Sequence, residues 1–351
     1  MINFLRFCSI ICAWILILLY LSTWFNPKSL GVYFGLALLY PVFFGINFLF
    51  LIFWLFIKKY RYAILPIIGF LFNYSLVQAY YGLRFKPENN IDPETINICS
   101  FNAFEFKINL YDFRHKIKKA EKAWKQISQD FESPDILLFQ EYSRILDTFF
   151  IKNQGYNHYH IIEPKDGSTA IFSKYPILET GDIPFIESGN SATWSDIKIK
   201  NNIIRFYSLH LQSSSISKDA ENFSKKANLD EKATWRSAWR MVKKYKSSAL
   251  KRVDQLELVL EHMKSSPYPI IIGTDLNEVA ASYVYRNLNN NFKDAFKEKG
   301  HGYGITYDGA IPGLKIDYIF TDKRYKIISF ESTNHQNISD HFPIHSLIKI
   351  Q

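Results

Sequence analysis

The chain has 351 residues, 42 Lys and Arg against 33 Asp and Glu, and a formal net charge of +9 at pH 7. Because a single domain usually takes ~100 to 200 residues, this length has room for a membrane part and one large globular domain. The positive charge favours anionic partners, namely nucleic acid, phospholipid headgroups or phosphorylated small molecules, without separating the three. Cys99 is the one cysteine after Cys12, which excludes a disulfide framework or a cysteine-type zinc site in the globular part.

The first 85 residues contain three long apolar runs without Asp, Glu, Lys or Arg, at residues 7–24, about 30–57 and about 62–81. A hydrocarbon core about 30 Å thick needs roughly 20 apolar residues in a helix. The sequence therefore predicts an anchor of about three transmembrane helices within residues 1–83. Two alternatives are a cleaved signal peptide, although no small-x-small cleavage pattern follows the first run, and buried core helices of a soluble protein.

Positive charges beside these runs predict the orientation of the anchor. Lys58, Lys59 and Arg61 form the strongest cluster, between the second and third runs. Placing this cluster in the cytoplasm puts the N-terminus inside and everything after the third run outside, although Arg84 and Lys86 oppose that choice. We therefore expect an integral protein of a bacterial inner membrane with its globular domain outside the cytoplasm.

Residues 84–95 (RFKPENNIDPET) contain two prolines and no apolar periodicity, which predicts a linker and a globular domain over 96–351. Beyond the linker, short apolar runs alternate with turn signals, a pattern typical of strands. Two stretches with helical periodicity, about 110–130 and 232–263, lie between them. The domain is thus expected to mix helices with many strands. The predicted strands are 96–102, 136–139, 170–172, 203–209, 270–272, 316–320 and 344–350.

Polar side chains follow the predicted strands at the points where the apolar runs stop. Strand ends at one edge of a rigid sheet bring residues distant in sequence to one site. We therefore expect these side chains to form one polar cluster. They are Asn102, Glu141, His210, Asp275 and Asn277.

Asp317 differs from this group because the segment KIDYIF places it within an apolar run. Burying an unpaired carboxylate costs several kcal/mol, so Asp317 needs a partner. The segment NISDHFPI supplies the candidates Asp340 and His341. A carboxylate beside an imidazole orients the ring and sets its protonation.

Seven segments in order over about residues 95–351 resemble motifs of the endonuclease/exonuclease/phosphatase superfamily. The resemblance implies its deoxyribonuclease-I-like fold, an α+β domain built as a four-layer α/β/β/α sandwich. A single such segment occurs by chance, whereas several in family order make coincidence hard to sustain. The segments are FNAFE, LLFQEYS, STAIFSKYPI, YSLHLQS, GTDLNEV, LKIDYIF and ISDHFPI.

The resemblance implies a division of chemical roles among these residues. Glu141 and Asp340, with Asn102 nearby, would hold a divalent cation, while Asp275 and Asn277 would position or activate the attacking water. Oxygen ligands without clustered Cys or His suit Mg²⁺ or Mn²⁺ rather than zinc.

Three further residues complete the implied machinery: Asp317 would orient His341, and His341 and His210 would contact the scissile phosphate. The resulting expectation is a metal-dependent phosphodiesterase that cleaves a nucleic acid or a phospholipid headgroup. Two alternatives stay open: a phosphomonoesterase of the same fold, and a non-catalytic, membrane-tethered binder of a phosphorylated ligand.

The segment KATWRSAWRMVKKYKSSALKR combines aromatic and basic residues at helical spacing. A basic amphipathic helix of this kind binds anionic lipid or guides a nucleic-acid backbone. The alternative, which we favour from sequence, is a surface helix that packs its aromatic stripe on the domain. The stripe comprises Trp235, Trp239, Val242, Tyr245 and Val253, and the basic residues are Arg236, Arg240, Lys243, Lys244 and Lys246.

Overall fold

The computed structural model describes residues 2–30, 39–83, 94–107, 113–162, 169–214, 216, 219, 232–309, 313–333 and 338–350. The α-helices within these residues are α1 (Ile2–Ser22), α2 (Pro27–Leu30), α3 (Tyr40–Phe56), α4 (Tyr60–Phe72), α5 (Tyr74–Tyr80), α6 (Phe113–Asp130), α7 (Lys232–Lys264), α8 (Tyr283–Asn291) and α9 (Ala295–Lys299). The strands are β1 (Tyr81–Leu83), β2 (Thr95–Asn102), β3 (Ile136–Gln140), β4 (His158–Ile161), β5 (Ala170–Ser173), β6 (Ile177–Pro184), β7 (Ser191–Ile199), β8 (Asn202–His210), β9 (Ile270–Asp275), β10 (Lys293–Asp294), β11 (His301–Tyr303), β12 (Asp317–Thr321), β13 (Lys326–Ser332) and β14 (Ile344–Lys349).

Twelve of these strands form two six-stranded mixed sheets. The first has the order β13-β14-β2-β3-β5-β4, and the second has the order β10-β12-β9-β8-β7-β6. Each sheet has one parallel pair near its centre, β2 with β3 and β8 with β9. The seven predicted strands correspond to β2, β3, β5, β8, β9, β12 and β14, so the prediction of a many-stranded domain with helices is confirmed.

The two sheets pack face to face through an apolar core that includes Ile98, Leu138 and Phe206. Helix α6 covers the outer face of the first sheet, where the ring of Trp124 lies 5.4 Å from that of Phe139. Helices α7 and α8 contribute to the core on the outer face of the second sheet. The order of layers is therefore helix, sheet, sheet, helix.

The two sheets approach each other closely around Gly273 in β9. A Cβ atom at this position would lie 2.7 Å from both the Leu138 Cδ1 and the Ser100 Oγ of the facing sheet. Beside it, Gln140 Nε2 donates to the Ser208 Oγ at 3.1 Å, and Ser208 Oγ donates to the Phe139 carbonyl at 2.6 Å. These bonds tie the ends of β3 and β8 together across the sandwich.

The N-terminal helices correct the prediction of three transmembrane helices. Among the described residues, α1 is the one helix long and apolar enough to cross a membrane; the count becomes two if α4 and α5, bent by 67°, form one broken span. Helix α3 is apolar but has only 17 residues, and residues 31–38 of the second predicted run lie outside the described part.

The third predicted run breaks at Asn73, between α4 and α5. The Asn73 Nδ2 donates to the Gly69 carbonyl at 2.8 Å and to the Leu16 carbonyl of α1 at 3.4 Å. A side-chain amide that competes for backbone carbonyls weakens helix propagation, and here it also binds a neighbouring helix. The bend therefore follows from one polar residue that hydropathy averaging hides.

The N-terminal helices share an apolar core with the globular domain. Leu16 of α1, Tyr40 of α3 and Leu76 of α5 belong to the cluster on the outer face of the second sheet. The Arg286 guanidinium of α8 lies 3.4 Å from the centre of the Trp24 ring, and β1 pairs with β11. Residues 84–93 of the predicted linker lie outside the described residues, and β2 begins at Thr95.

Helix α7 corrects the expectation that its aromatic stripe packs on the domain. Tyr245 and Val253 are buried, as expected. Trp235 and Trp239, near the start of the helix, are 61% and 53% exposed. The favoured interpretation therefore holds for the middle of the helix and is wrong for its first turns.

The close approach of the sheets generates a stability prediction for Gly273→Ala. The added methyl group must displace Leu138 or Ser100, and overpacking of this kind costs about 1–3 kcal/mol. We expect the Tm of the detergent-solubilised chain to fall by about 2–4 °C per kcal/mol in a scanning calorimeter. Gly45→Ala in α3 is the matched control, because a Cβ there meets nothing within 4 Å. Equal Tm values for the two variants would contradict the packing argument.

Candidate active site

Three adjacent strands of the second sheet place His210, Asp275 and Asp317 side by side. His210 ends β8 and is the register partner of Asp275 at the end of the parallel strand β9. Asp317 begins β12 and pairs with the same Asp275 in antiparallel register. Because β12 runs opposite to β9, its first residue lies at the edge where β8 and β9 finish.

The first sheet delivers two residues to the same edge. Asn102 ends β2, and Glu141 directly follows β3 with a φ of 47°. Asn102 Nδ2 donates to Asp275 Oδ2 at 2.9 Å and approaches Glu141 Oε1 at 3.3 Å. The left-handed backbone at Glu141 turns the chain as it leaves the sheet, and such strain persists where surrounding contacts hold it.

The Asp275 carboxylate lies at the centre of the cluster and is 1% exposed. Its Oδ1 accepts the backbone N–H of Asn277 at 2.8 Å, and its Oδ2 lies 3.2 Å from Asn277 Nδ2. The same Oδ2 is 3.6 Å from His210 Nε2 and 3.8 Å from His341 Nε2. Burial raises the pKa of Asp275, against the opposing effect of the two imidazoles.

His341 is held as a cation by two carboxylates. Its Nδ1 donates to Asp317 Oδ2 at 3.0 Å, and Thr306 Oγ1 donates to the same oxygen at 2.7 Å. Burial alone would lower the pKa of His341, but Asp317 and Asp275 outweigh it and raise the pKa to about 10. The ring is therefore protonated at neutral pH and directs its Nε2–H toward Asp275.

His210, in contrast, is neutral at neutral pH. Its side chain is 5% exposed, and burial lowers its pKa to about 4, helped by the nearby cation of His341. Within the described residues its Nε2 has no hydrogen-bond partner, although Glu141 Oε1 lies 3.5 Å away. The site thus combines a neutral and a protonated imidazole, which suits groups with different tasks.

Glu141 and Asp340 are the acidic residues left for a cation. Both line the same cavity, and Asp340 Oδ1 is buried with no hydrogen-bond partner among the described residues. Burial raises the pKa of Glu141 and the Asp340 charge raises it further, as expected for two carboxylates that share a site. An oxygen-rich pair of this kind fits Mg²⁺ or Mn²⁺.

A second possible cation group consists of Asp275, Asp317 and His341, whose ligand atoms lie within 4.8 Å of one another. In this group the His341 Nδ1 is already bonded to Asp317. A protonated imidazole has no lone pair for a metal. The predicted ligands Glu141 and Asp340 are not part of this group, and their role as cation ligands stays a prediction.

A cavity of about 150 Å³ opens at this edge of the sheets. Five of the eight predicted site residues line it, namely Glu141, Asp275, Asn277, Asp340 and His341. The other three, Asn102, His210 and Asp317, lie behind this lining and contact it. The structure brings all eight together, and their chemical roles stay predictions.

Sequence reasoning missed several residues that support the site. Ser339 Oγ donates to the Asn102 carbonyl at 2.8 Å and accepts the His341 backbone N–H at 3.0 Å. Thr306, which binds Asp317, lies in a loop without any pattern that would have marked it. Ser339 was detectable, because it precedes Asp340 and His341 within the segment ISDHFPI.

Tyr245 and Tyr307 also line the cavity; the sequence marked Tyr245 only as part of the aromatic stripe and did not mark Tyr307. The Tyr307 ring lies 4.9 Å from the His341 ring. Tyr245 Oη donates to Glu278 Oε2 at 2.7 Å, and Arg252 Nε donates to Glu278 Oε1 at 2.9 Å. This buried network fixes the middle of α7 beside the cavity.

Comparisons with solved structures agree with this architecture. Humanised TDP2 of D. rerio matches with a TM-score of 0.52 and 16% identity, over 73% of this chain and 99% of that one. An endonuclease/exonuclease/phosphatase from Bacteroides vulgatus matches with a TM-score of 0.50 and 20% identity, over 73% and 99%. A Bacteroides thetaiotaomicron mannosyl-6-phosphatase gives 0.50 and 18%, over 72% and 99%. At these identities the likeness shows the fold.

Sequence comparisons divide the chain into two matched segments. No curated protein matches it. Residues 2–80 match a domain of unknown function (DUF8431). Residues 99–341, well over half of the chain, match the Endonuclease/Exonuclease/phosphatase family. The strand ends of both sheets, the buried Asp275 and this match together establish that the protein belongs to the endonuclease/exonuclease/phosphatase family.

Proposed function

We propose that this protein is a membrane-anchored, divalent-metal-dependent phosphodiesterase. The observation that carries the proposal is the convergence of strand ends from both sheets on the buried Asp275, beside a cationic His341 and a neutral His210. Acidic, amide and imidazole groups beside one cavity can orient a water, hold a cation and donate a proton, as hydrolysis of a phosphoester requires. Family membership supports a hydrolase of this class.

Glu141 and Asp340, with Asn102 beside them, are the residues that would hold the cation. Members of the family generally use divalent metals. The unpartnered Asp340 Oδ1 and the raised pKa of Glu141 both fit a position that a cation neutralises. When bound there, Mg²⁺ or Mn²⁺ supplies positive charge to a phosphoryl oxygen.

The remaining residues orient the attacking water and donate a proton. Asp275, with its Oδ1 held by the Asn277 backbone, accepts a hydrogen bond from the attacking water and orients it. His341 donates its Nε2–H toward the phosphate or the leaving oxygen, because Asp317 keeps it protonated. Asp317, at 2% exposed, is a positioning residue, and Thr306 holds it in place.

The anchor and the distribution of charge support a domain outside the cytoplasm. Arg6 lies over the Tyr62 ring at 5.1 Å, so the start of α1 and the start of α4 are neighbours. Lys58, Lys59 and Arg61 are at the same end, whereas Trp24 and the globular domain are at the other end of α1. A basic cluster at the end away from the domain fits the positive-inside rule.

A nucleic acid or a phospholipid headgroup is the proposed substrate class. The +9 net charge favours either anion, and the apolar α1 brings the domain within reach of lipid. Among the matched structures, one is named a mannosyl-6-phosphatase. Paired diester and monoester substrates therefore belong in the same assay.

The catalytic proposal predicts the effect of Asp275→Asn and His341→Ala in the full chain. Removing a group aimed at the reacting centre typically costs about a hundredfold or more in kcat/KM. We expect both variants to show that loss with bis(p-nitrophenyl) phosphate and Mg²⁺. We also expect the wild-type protein to hydrolyse the mono-aryl phosphate more slowly than this diester. Asp322→Asn, in the turn after β12, is the matched control and should retain wild-type activity. Activity that survives both site variants would refute the site, and no turnover of any phosphoester would favour the binding-only alternative.

The cation proposal predicts that Glu141→Gln weakens metal binding. Loss of one of two carboxylates should raise the Kd for Mn²⁺ at least about tenfold. Isothermal titration of the full chain with MnCl₂ measures this directly. EDTA should abolish hydrolysis, and added Mg²⁺ or Mn²⁺ should restore it. The control is Glu261→Gln on the surface of α7, and equal Kd values for the two variants would exclude Glu141 as a ligand.

The orientation proposal predicts the behaviour of reporters fused after Gln351 in a bacterial host. Alkaline phosphatase folds into an active enzyme only after export, whereas green fluorescent protein becomes fluorescent in the cytoplasm. We expect an active phosphatase fusion and a dark fluorescent fusion. The reverse pattern would place the catalytic domain in the cytoplasm.

A further inference from the structure

We propose that the first turns of α7 form a docking face for an anionic phospholipid bilayer. This inference rests on the proposed membrane insertion of α1, and it does not depend on catalysis. Trp235 and Trp239 are 61% and 53% exposed, one helical turn apart. Arg236, Arg240 and Lys243 are exposed around them. Exposed tryptophans with basic neighbours are the composition that lies in a lipid headgroup region.

The position of the anchor on α7 shows which way this face points. Lys28 of α2, six residues beyond α1, contacts Asp254 at 2.7 Å and Glu257 at 2.8 Å. Residues three or four positions apart lie on one face of a helix, and eleven positions make about three full turns. Trp239, Lys243, Asp254 and Glu257 therefore form a single stripe. The face that carries Trp239 is the face that the anchor touches.

Distance along the helix places the tryptophans beyond the part of α7 that the anchor touches. At about 1.5 Å per residue, Trp239 lies roughly 22 Å along α7 from Asp254. Aromatic side chains also mark the end of the anchor next to the domain, where Trp24 and Phe25 are 56% and 54% exposed. Trp is enriched at membrane interfaces because its ring is apolar and its N–H is polar.

The charge of the face selects an anionic surface. Lys244 is paired with Asp219 at 2.6 Å and Arg240 also interacts with the Asp219 charge, whereas Arg236 forms no ion pair among the described residues. The other outer helix, α6, is also basic, but its Trp124 is fully buried against the first sheet. Helix α6 lies in the opposite outer layer and has no exposed tryptophan. It therefore serves as the internal control for α7.

Docking has a consequence for the active site because α7 also lines the cavity. Tyr245, less than two turns after Trp239, contacts both the cavity and the network of Arg252 and Glu278. Membrane contact by the first turns of α7 would hold this cavity wall at the lipid surface. A substrate in the membrane surface would then lie close to the opening of the cavity.

The test uses nitroxide labels on the full chain in proteoliposomes. Cys8 and Cys12 are changed to Ser, buried Cys99 is kept, and a label is attached at Trp239→Cys. Vesicles contain phosphatidylcholine alone or with about 30% phosphatidylglycerol, which gives the negative surface potential. Accessibility to O₂ relative to a water-soluble nickel chelate reports whether the label lies in lipid or water. We expect a lipid-like ratio in the anionic vesicles.

Two control labels separate failure of docking from failure of insertion. A label at Trp14→Cys on α1, where the side chain is 55% exposed, should be lipid-accessible in every vesicle. A label at Lys125→Cys on α6 should be water-accessible throughout. If position 14 is in lipid and position 239 stays in water, the docking inference is wrong. If position 14 is in water, the proposed membrane insertion itself is wrong.

Charge reversal supplies the second readout. Each basic residue near an anionic surface is worth roughly fivefold in partition, so Arg236→Glu with Arg240→Glu should lower the docked-to-undocked ratio at least about 25-fold. Salt near 1 M should act in the same direction, because screening shortens to about 3 Å. The proposal would be overturned if the accessibility ratio at position 239 stayed the same after both changes. It would also be overturned if this ratio changed with a single-stranded oligonucleotide and not with lipid.

Discussion

The burial of the Asp275 carboxylate is the constraint on which the rest of the site depends. An ionised carboxylate removed from water is costly unless hydrogen bonds and opposite charge surround it. Here the compensation comes from Asn102 and His210, which end strands of different sheets, and from Asn277 and His341, which lie after β9 and before β14. Gly273, two residues before Asp275 in β9, lets the two sheets approach closely enough for the first sheet to reach this carboxylate.

The same arrangement gives two histidines different protonation states because their surroundings differ. His341 faces Asp317 and Asp275 and stays protonated, whereas His210 is buried beside that cation and stays neutral. Placing groups of one chemical type in different charge states is how a small site obtains both donors and acceptors. Burial raises the pKa of a third carboxyl group, Glu141, and the negative charge of Asp340 adds to this effect.

Helix α7 connects the two halves of the protein. One face carries Tyr245 and Arg252 into the buried network beside the cavity. The opposite face meets Lys28 at the end of the anchor. The apolar core shared by α1, α3 and α5 with the second sheet adds to this contact. The catalytic-type domain and the N-terminal helices are thus joined through one apolar cluster.

The sequence by itself determined the seven central strands, the two long helices and the eight polar residues of the cluster, because period-two and period-3.6 patterns are local and strand ends are easily read. It did not determine the edge strands and β7, the support Thr306, the contact of Tyr245 with Glu278, or the break at Asn73. Those depend on contacts between segments far apart in the chain, such as the bond from Asn73 to Leu16. Only the tertiary structure decided that Trp235 and Trp239 stay exposed, since a helical stripe fixes which residues share a face and not what covers it.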